Sequence, residues 1–219
     1  ATYEAITGVP GSYARCLSGI QALVKQRIPL GLKATITRQN VSELDAMRQM
    51  AHNWGLPLSA NWLLSKRRDG AWSDVMACRL PATECITLEA TDRASASEWT
   101  EAARRKSSLN QERNFHCQAG QTTFVVNPRG EMNACIDLPF PAARPLEIGF
   151  RAAWEQTQVY VDTAMPLAPL CQICDVRNYC MRCPAWSHLE TDTLNEPVPY
   201  LCEIARARKM RYEKGGILA

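Results

Sequence analysis

The stretch Cys171-Gln-Ile-Cys174-Asp-Val-Arg-Asn-Tyr-Cys180-Met-Arg-Cys183 sets four thiols within thirteen residues. Thiols this dense make a poor disulfide frame, because neighbouring cysteines exchange partners. They make a good metal cradle, because a Cys-x2-Cys turn aims two thiolates at one centre from a single loop. Cys180 returns to the same place after five further residues, and Cys183 faces either that centre or a second one. Whatever else the chain builds, it has to bring this loop to a site that holds metal.

The rest of the composition limits the setting. The chain has 219 residues, enough for one large domain or two small ones, and needs no covalent staples to fold. It carries ten cysteines, but no signal peptide opens it and no apolar run approaches the roughly 20 residues of a membrane span. Clustered cysteines without a secretory signal favour thiolates on metal over disulfides, and so a cytoplasmic protein with no membrane partner. A net charge of +3 is too weak to argue for nucleic acid. The first residue is Ala1 rather than Met, which fits a processed or partial chain.

Along the chain, Ser12 to Arg27 reads as a helix with Ser12 as its N-cap and Leu17, Ile20, Leu23 and Val24 at helical spacing. Leu30 to Thr37 alternates as a strand, with Leu30, Leu32, Ala34 and Ile36 on one face and Lys33, Thr35 and Thr37 on the other. Ser42-x-x-Asp45 resembles a capping box, and the helix behind it stops at Gly55. Leu58 to Leu64 is a second strand, and the alternation of helices and strands is that of a parallel α/β sheet. Ser65 to Ala77 reads as a polar loop, and Pro81 to Ser108 as helix broken between Thr91 and Ala96. Thr122 to Asn127 and Glu131 to Ile136 flank Asn-Pro-Arg-Gly as a hairpin. Arg151 to Asp162 and Pro199 to Lys214 are helices, the first with Trp154 on its apolar side and the second with Cys202 near its start. Cys16, Cys78 and Cys85 read as small buried hydrophobes, and the six tryptophans as core.

Seven cysteines have a recognisable order. Cys117 is followed after twelve residues by Gly130-x4-Cys135, then by Cys171-x2-Cys174-x5-Cys180-x2-Cys183, and finally by Cys202. This resembles the SPASM domain, the C-terminal extension of radical S-adenosylmethionine enzymes that modify peptides and proteins. The common pattern has three residues where this chain has Met181 and Arg182. Thr2 to Ser12, the helix after it, and Leu32 to Asn40 look like the second half of the family's catalytic barrel. The resemblance implies an α/β chain: the C-terminal part of a partial (β/α)6 TIM-like barrel over 1–77, a helical linker over 78–112, and an auxiliary-cluster domain over 113–219. The family's Cys-x3-Cys-x2-Cys loop, which holds the cluster that cleaves S-adenosylmethionine, is absent from the sequence. The resemblance places it before Ala1, so this chain is expected not to perform the radical chemistry alone. A half-barrel would also expose a sheet edge.

By matched position, the resemblance implies that Cys117, Cys135 and Cys183 hold one auxiliary 4Fe-4S cluster, and that Cys171, Cys174, Cys180 and Cys202 hold another. A third 4Fe-4S cluster and S-adenosylmethionine belong to the complete protein. The three-cysteine set leaves either an open iron toward substrate or a further ligand, with His116 and Asp137 near in sequence. The sulfatase-maturing branch has an Asp base directly after the cysteine matched by Cys135. Here that residue is Ile136, with Asp137 one further, so no catalytic base is assigned. Lys33 sits where the family contacts S-adenosylmethionine; its other reading is a solvated or ion-paired lysine. Thr35 and Asn61 are candidates for the same cavity. His188 reads as a surface histidine, and Arg67 and Arg68 as a solvated loop or a contact for an acidic leader peptide. The implied partners are a precursor peptide or protein and an external electron donor or acceptor. Two competing readings remain: a zinc-stabilised binding module without catalytic activity, and a disulfide-rich extracellular domain. Zinc would leave Cys117, Cys135 and Cys202 without a purpose.

Overall fold

In the computed structural model, which describes residues 1–70, 73–104, 115, 117–163 and 167–213, the chain divides into two units. The first comprises Ala1–Leu64 and Ser73–Leu80, and the second Ser65–Trp72 and Pro81–Ala219.

The first unit opens on α1 (Thr2–Thr7), which the sequence reading did not foresee, and α2 (Ser12–Lys25). The cap of α2 is Gly11 in the left-handed region, not Ser12, whose hydroxyl instead lies 2.9 Å from that of Thr7. β1 (Leu32–Thr35) is followed by a 3-10 turn at Val41–Glu43 and α3 (Leu44–Asn53), and the chain returns as β2 (Leu58–Asn61), parallel to β1. Leu32 pairs with Leu58 and Thr35 with Asn61. Both strands alternate between half-buried and exposed residues, as the period of two demands. The pairing is shorter than the sequence suggested, but its frame continues: the Ile36 amide donates to the Asn61 carbonyl at 2.8 Å, and Ile36 is fully buried. Ser42 lies in the 3-10 turn, and neither it nor Asp45 caps α3; the structural bond here is from the Thr37 amide to Asn40 Oδ1, 2.7 Å. Gly55, at φ 65°, ends α3, with its amide on His52 O and that of Leu56 on Ala51 O. α4 (Ser73–Cys78) takes up the end of the stretch Ser65 to Ala77 that reads as loop. One β–α–β crossover is thus present. The described residues form no barrel.

In the second unit, α5 (Ala82–Thr91) and α6 (Arg93–Arg104) meet at Asp92, where a helical break was expected. Next come β3 (Val125–Val126) and β4 (Met132–Asn133), an antiparallel pair of only two residues each, joined through Asn127–Gly130. α7 (Pro145–Ile148) and α8 (Phe150–Asp162) follow, then α9 (Pro169–Gln172), a 3-10 turn at Arg177–Tyr179, α10 (Pro184–Thr191) and α11 (Pro199–Tyr212). Three small cores hold these elements. Met132, Ala143 and Ala153 seat the hairpin on α8 with Trp154 beside them. Phe115, Ala119, Ala134, Leu138, Val161 and Ala185 form a second core, and Val176, Tyr179 and Ala205 a third. Cys85 is buried, with its sulfur 3.2 Å from the Tyr200 hydroxyl, whereas Cys16 and Cys78 are only half-buried. Of the five described tryptophans only Trp62 is buried. Among the described residues no helix is long and apolar enough to cross a membrane.

Candidate metal centres

Pro169 starts α9, and its first turn carries Cys171, whose amide donates to Ala168 O at 2.8 Å. Cys174 follows in the next turn, and the 3-10 turn delivers Cys180 in extended backbone. Cys202 comes from the first turn of α11. Cys171, Cys180 and Cys202 line one cleft together with Arg182, Pro197, Val198 and Leu201. The electrostatics join Cys174 to them. Burial pushes the Cys180 thiol up to about 11, and the sulfurs of Cys202, Cys171 and Cys174 add to that rise. Burial also raises Cys202, followed by Cys171 and then Cys174. Cys171 is raised by burial and by Cys174, against an opposing pull from Arg182. Each of these thiols therefore lies within electrostatic reach of others in the set implied by the cysteine pattern.

Around Cys180 the loop is clamped from three helices. Arg208 of α11 donates to Tyr179 O at 3.2 Å and to Met181 Sδ at 3.2 Å. It is itself held by Glu89 of α5, at 2.7 and 2.9 Å, and lies 3.9 Å over the ring of Trp99 from α6.

The second group of thiols has a different frame. Cys135 sits in a tight turn after β4, closed by the Leu138 amide on Cys135 O at 3.3 Å, while Arg68 donates to Ile136 O at 3.3 Å. Cys183 is the residue before Pro184 at the start of α10. Cys135 and Cys183 pack on the same core. Burial pushes Cys135 up to about 11, helped by the sulfur of Cys183 and the carboxylate of Asp137, while backbone N–H groups of Asp137 and Leu138 hold it down. Burial raises Cys183 as well; the N–H groups of Trp186 and Ala185 oppose that, and Cys117 and Asp137 reinforce it. Cys117 is exposed. Asp137 thus bears on two of the three thiols. His116, the other candidate for the missing position, lies outside the described residues.

Lys33, Thr35 and Asn61 share the exposed polar face of the β1–β2 pair in the first unit. His188 is half-buried and makes an edge contact with Phe140, centroids 5.3 Å apart. Arg67 pairs with Asp69. Among the described residues no three His, Cys, Asp or Glu side chains are gathered tightly enough for a single metal ion. Arg182 and the Glu89–Arg208 pair were not anticipated. Their only sequence signals are a charge between two cysteines and two charges at helix positions far apart.

No family model matches the chain, and no solved structure matches it. A curated protein does: the AdoMet-dependent heme synthase of Methanosarcina barkeri is 24% identical over 91% of this chain and 63% of its own length. The chain therefore spans less than two thirds of that relative. The likeness supports a distant relationship to an AdoMet-dependent enzyme.

Proposed function

We propose that this chain is the cluster-carrying portion of an AdoMet-dependent radical oxidoreductase, with Cys171, Cys174, Cys180 and Cys202 on one 4Fe-4S cluster and Cys117, Cys135 and Cys183 on another. The observation that carries this reading is the partition of the thiols: Cys171, Cys180 and Cys202 line one cleft and Cys174 packs with Cys180 on one core, whereas Cys135 and Cys183 pack on another. The donor chemistry fits. Thiolates are the ligands such clusters take, and N–H groups directed at the sulfurs of Cys135 and Cys183 are a means of tuning them. Leu201 and Val198 form the apolar walls of the cleft that Cys171, Cys180 and Cys202 line. When bound, a cluster capped by four cysteines exchanges single electrons. Cys171, Cys174, Cys180 and Cys202 supply such a cap. Cys117, Cys135 and Cys183 leave one position, for which Asp137, whose charge bears on Cys135 and Cys183, is a candidate. In this reading the first unit supplies the C-terminal strands of a partial barrel, with Lys33 meeting S-adenosylmethionine on the exposed face of β1. The loop for the third cluster belongs to the complete protein.

The substrate class of this reading is a peptide or protein, from the cysteine pattern. A second reading, in which the complete protein acts in heme synthesis, rests on the name of the relative. In the complete enzyme, a mass change on a precursor peptide favours the first and a mass change on a heme precursor the second. The clusters themselves are tested on this chain. Reconstituted anaerobically, it should be brown, absorb broadly near 400 nm, and hold about eight irons and eight sulfides, as two cubanes require. Colourless protein with one or two zinc ions would favour the zinc-stabilised module instead.

A further inference from the structure

The two groups of thiols are joined through Cys180-Met-Arg-Cys183, and the charged residue of that link is Arg182. Its side chain lines the same cleft as Cys171, Cys180 and Cys202. Its Nε and Nη2 are sealed from solvent. The next residue, Cys183, belongs to the other group. Burial holds the Arg182 guanidinium below its ordinary range, Cys171, Cys180 and Cys183 oppose that by favouring its charged form, and Arg182 in turn pulls the Cys171 thiol down. Other cations face the same thiols. Arg206 faces Cys202 and Arg177 faces Cys171, but Arg206 is exposed and screened by solvent. Glu196 also faces Cys171, with opposite sign.

A guanidinium keeps its charge at any pH a protein tolerates. A cluster capped by thiolates is anionic, and each electron it takes adds one negative charge. A fixed cation inside a low-dielectric wall therefore favours the reduced form over the oxidised one. No bond breaks and no proton moves from Arg182 in that step; one electron passes from the reductant to the cluster.

We infer that Arg182 is a built-in counter-charge between the two cluster sites, placed to raise the reduction potential of the cluster on Cys171, Cys174, Cys180 and Cys202 and so to make that site the better electron acceptor. This rests on the reading of the thiols as cluster ligands. It gives Arg182 a tuning role rather than a ligating one.

The test is a mediated redox titration with dithionite on the reconstituted chain, followed by electron paramagnetic resonance, comparing the parent with Arg182→Gln and Arg182→Lys. Iron content is measured on the same samples. At parental iron content, Arg182→Gln should make reduction at least about tenfold less favourable, a shift of 59 mV toward negative potential for a one-electron couple. Arg182→Lys should stay nearer the parent. If Arg182→Gln loses iron while Arg182→Lys keeps both its iron and a potential near the parent's, charge is again the operative property. An unchanged potential in Arg182→Gln at full iron content overturns the inference. Loss of iron in both variants also overturns it, by making the residue a packing element. A parent chain that takes up no iron is a separate outcome, and it removes the ligand reading itself.

Discussion

Glu89 and Arg208 are 119 residues apart in the chain and almost fully sealed, with side chains 3% and 1% exposed. Nothing in their local sequence marks them as partners; each is one charged residue on one helix, and only packing of α5 on α11 brings them together. Breaking such a pair leaves an uncompensated buried charge and costs about 3–5 kcal/mol, whereas replacing both partners with apolar residues is often neutral. Glu89→Gln and Arg208→Met should each lower the unfolding free energy measured in urea by that amount, and Glu89→Leu with Arg208→Met should recover most of the loss. Because Arg208 also holds Tyr179 O and Met181 Sδ, the two variants that carry Arg208→Met should release iron faster than Glu89→Gln at matched stability. Gly120 makes a second case. It sits at φ +68° and a Cβ there would lie 2.6 Å from Val161 Cγ1. Gly120→Ala adds backbone strain to overpacking, and should cost about 2–5 kcal/mol in chemical denaturation.

At the scale of elements, periodicity located most helices and both strand pairs, but not their ends. β1 and β2 each pair over four residues, and beyond them the alternation breaks, since Ile36 and Thr37 are both buried. α10 was not read from the sequence, although Pro184 is a favoured first residue of a helix and starts it. The Asn127–Glu131 turn was legible, and its side chains add a pH dependence. The hydrogen bond from Arg129, then that from Asn127, hold the Glu131 carboxyl below its ordinary range. A depressed carboxyl contributes its stability above the unfolded value of about 4.3, and that contribution is lost as pH falls through the lower folded value. The Glu131 amide on Asn127 Oδ1 should therefore lose exchange protection in acid. Glu131→Gln should remove that acid dependence, and a variant that kept it would place the titrating group elsewhere.

For the whole molecule, the cysteine spacing was the most specific feature of the sequence, and the architecture around it the least legible. Spacing alone could not say whether Cys183 joins the neighbouring Cys180 or the distant Cys135. The structure orients it through the start of α10, into the core shared with Cys135, because Pro184 turns the chain into a helix immediately after it. Barrel closure was not legible, because two strands and one crossover helix are compatible with several parallel sheets. The partition predicts how iron leaves. Cys180→Ala removes a thiol that feels Cys202, Cys171 and Cys174, and Cys135→Ala one that feels Cys183. If the groups are separate sites, each variant should retain about four of about eight irons, and the double variant almost none. The two single variants should also keep different resonance signals, whose sum reproduces the parent's. Helical circular dichroism reports whether the fold survives each change. A Cys135→Ala chain that lost all its iron while keeping its helices would mean a single shared centre, since removing one thiol of an independent site leaves the other site's ligands complete.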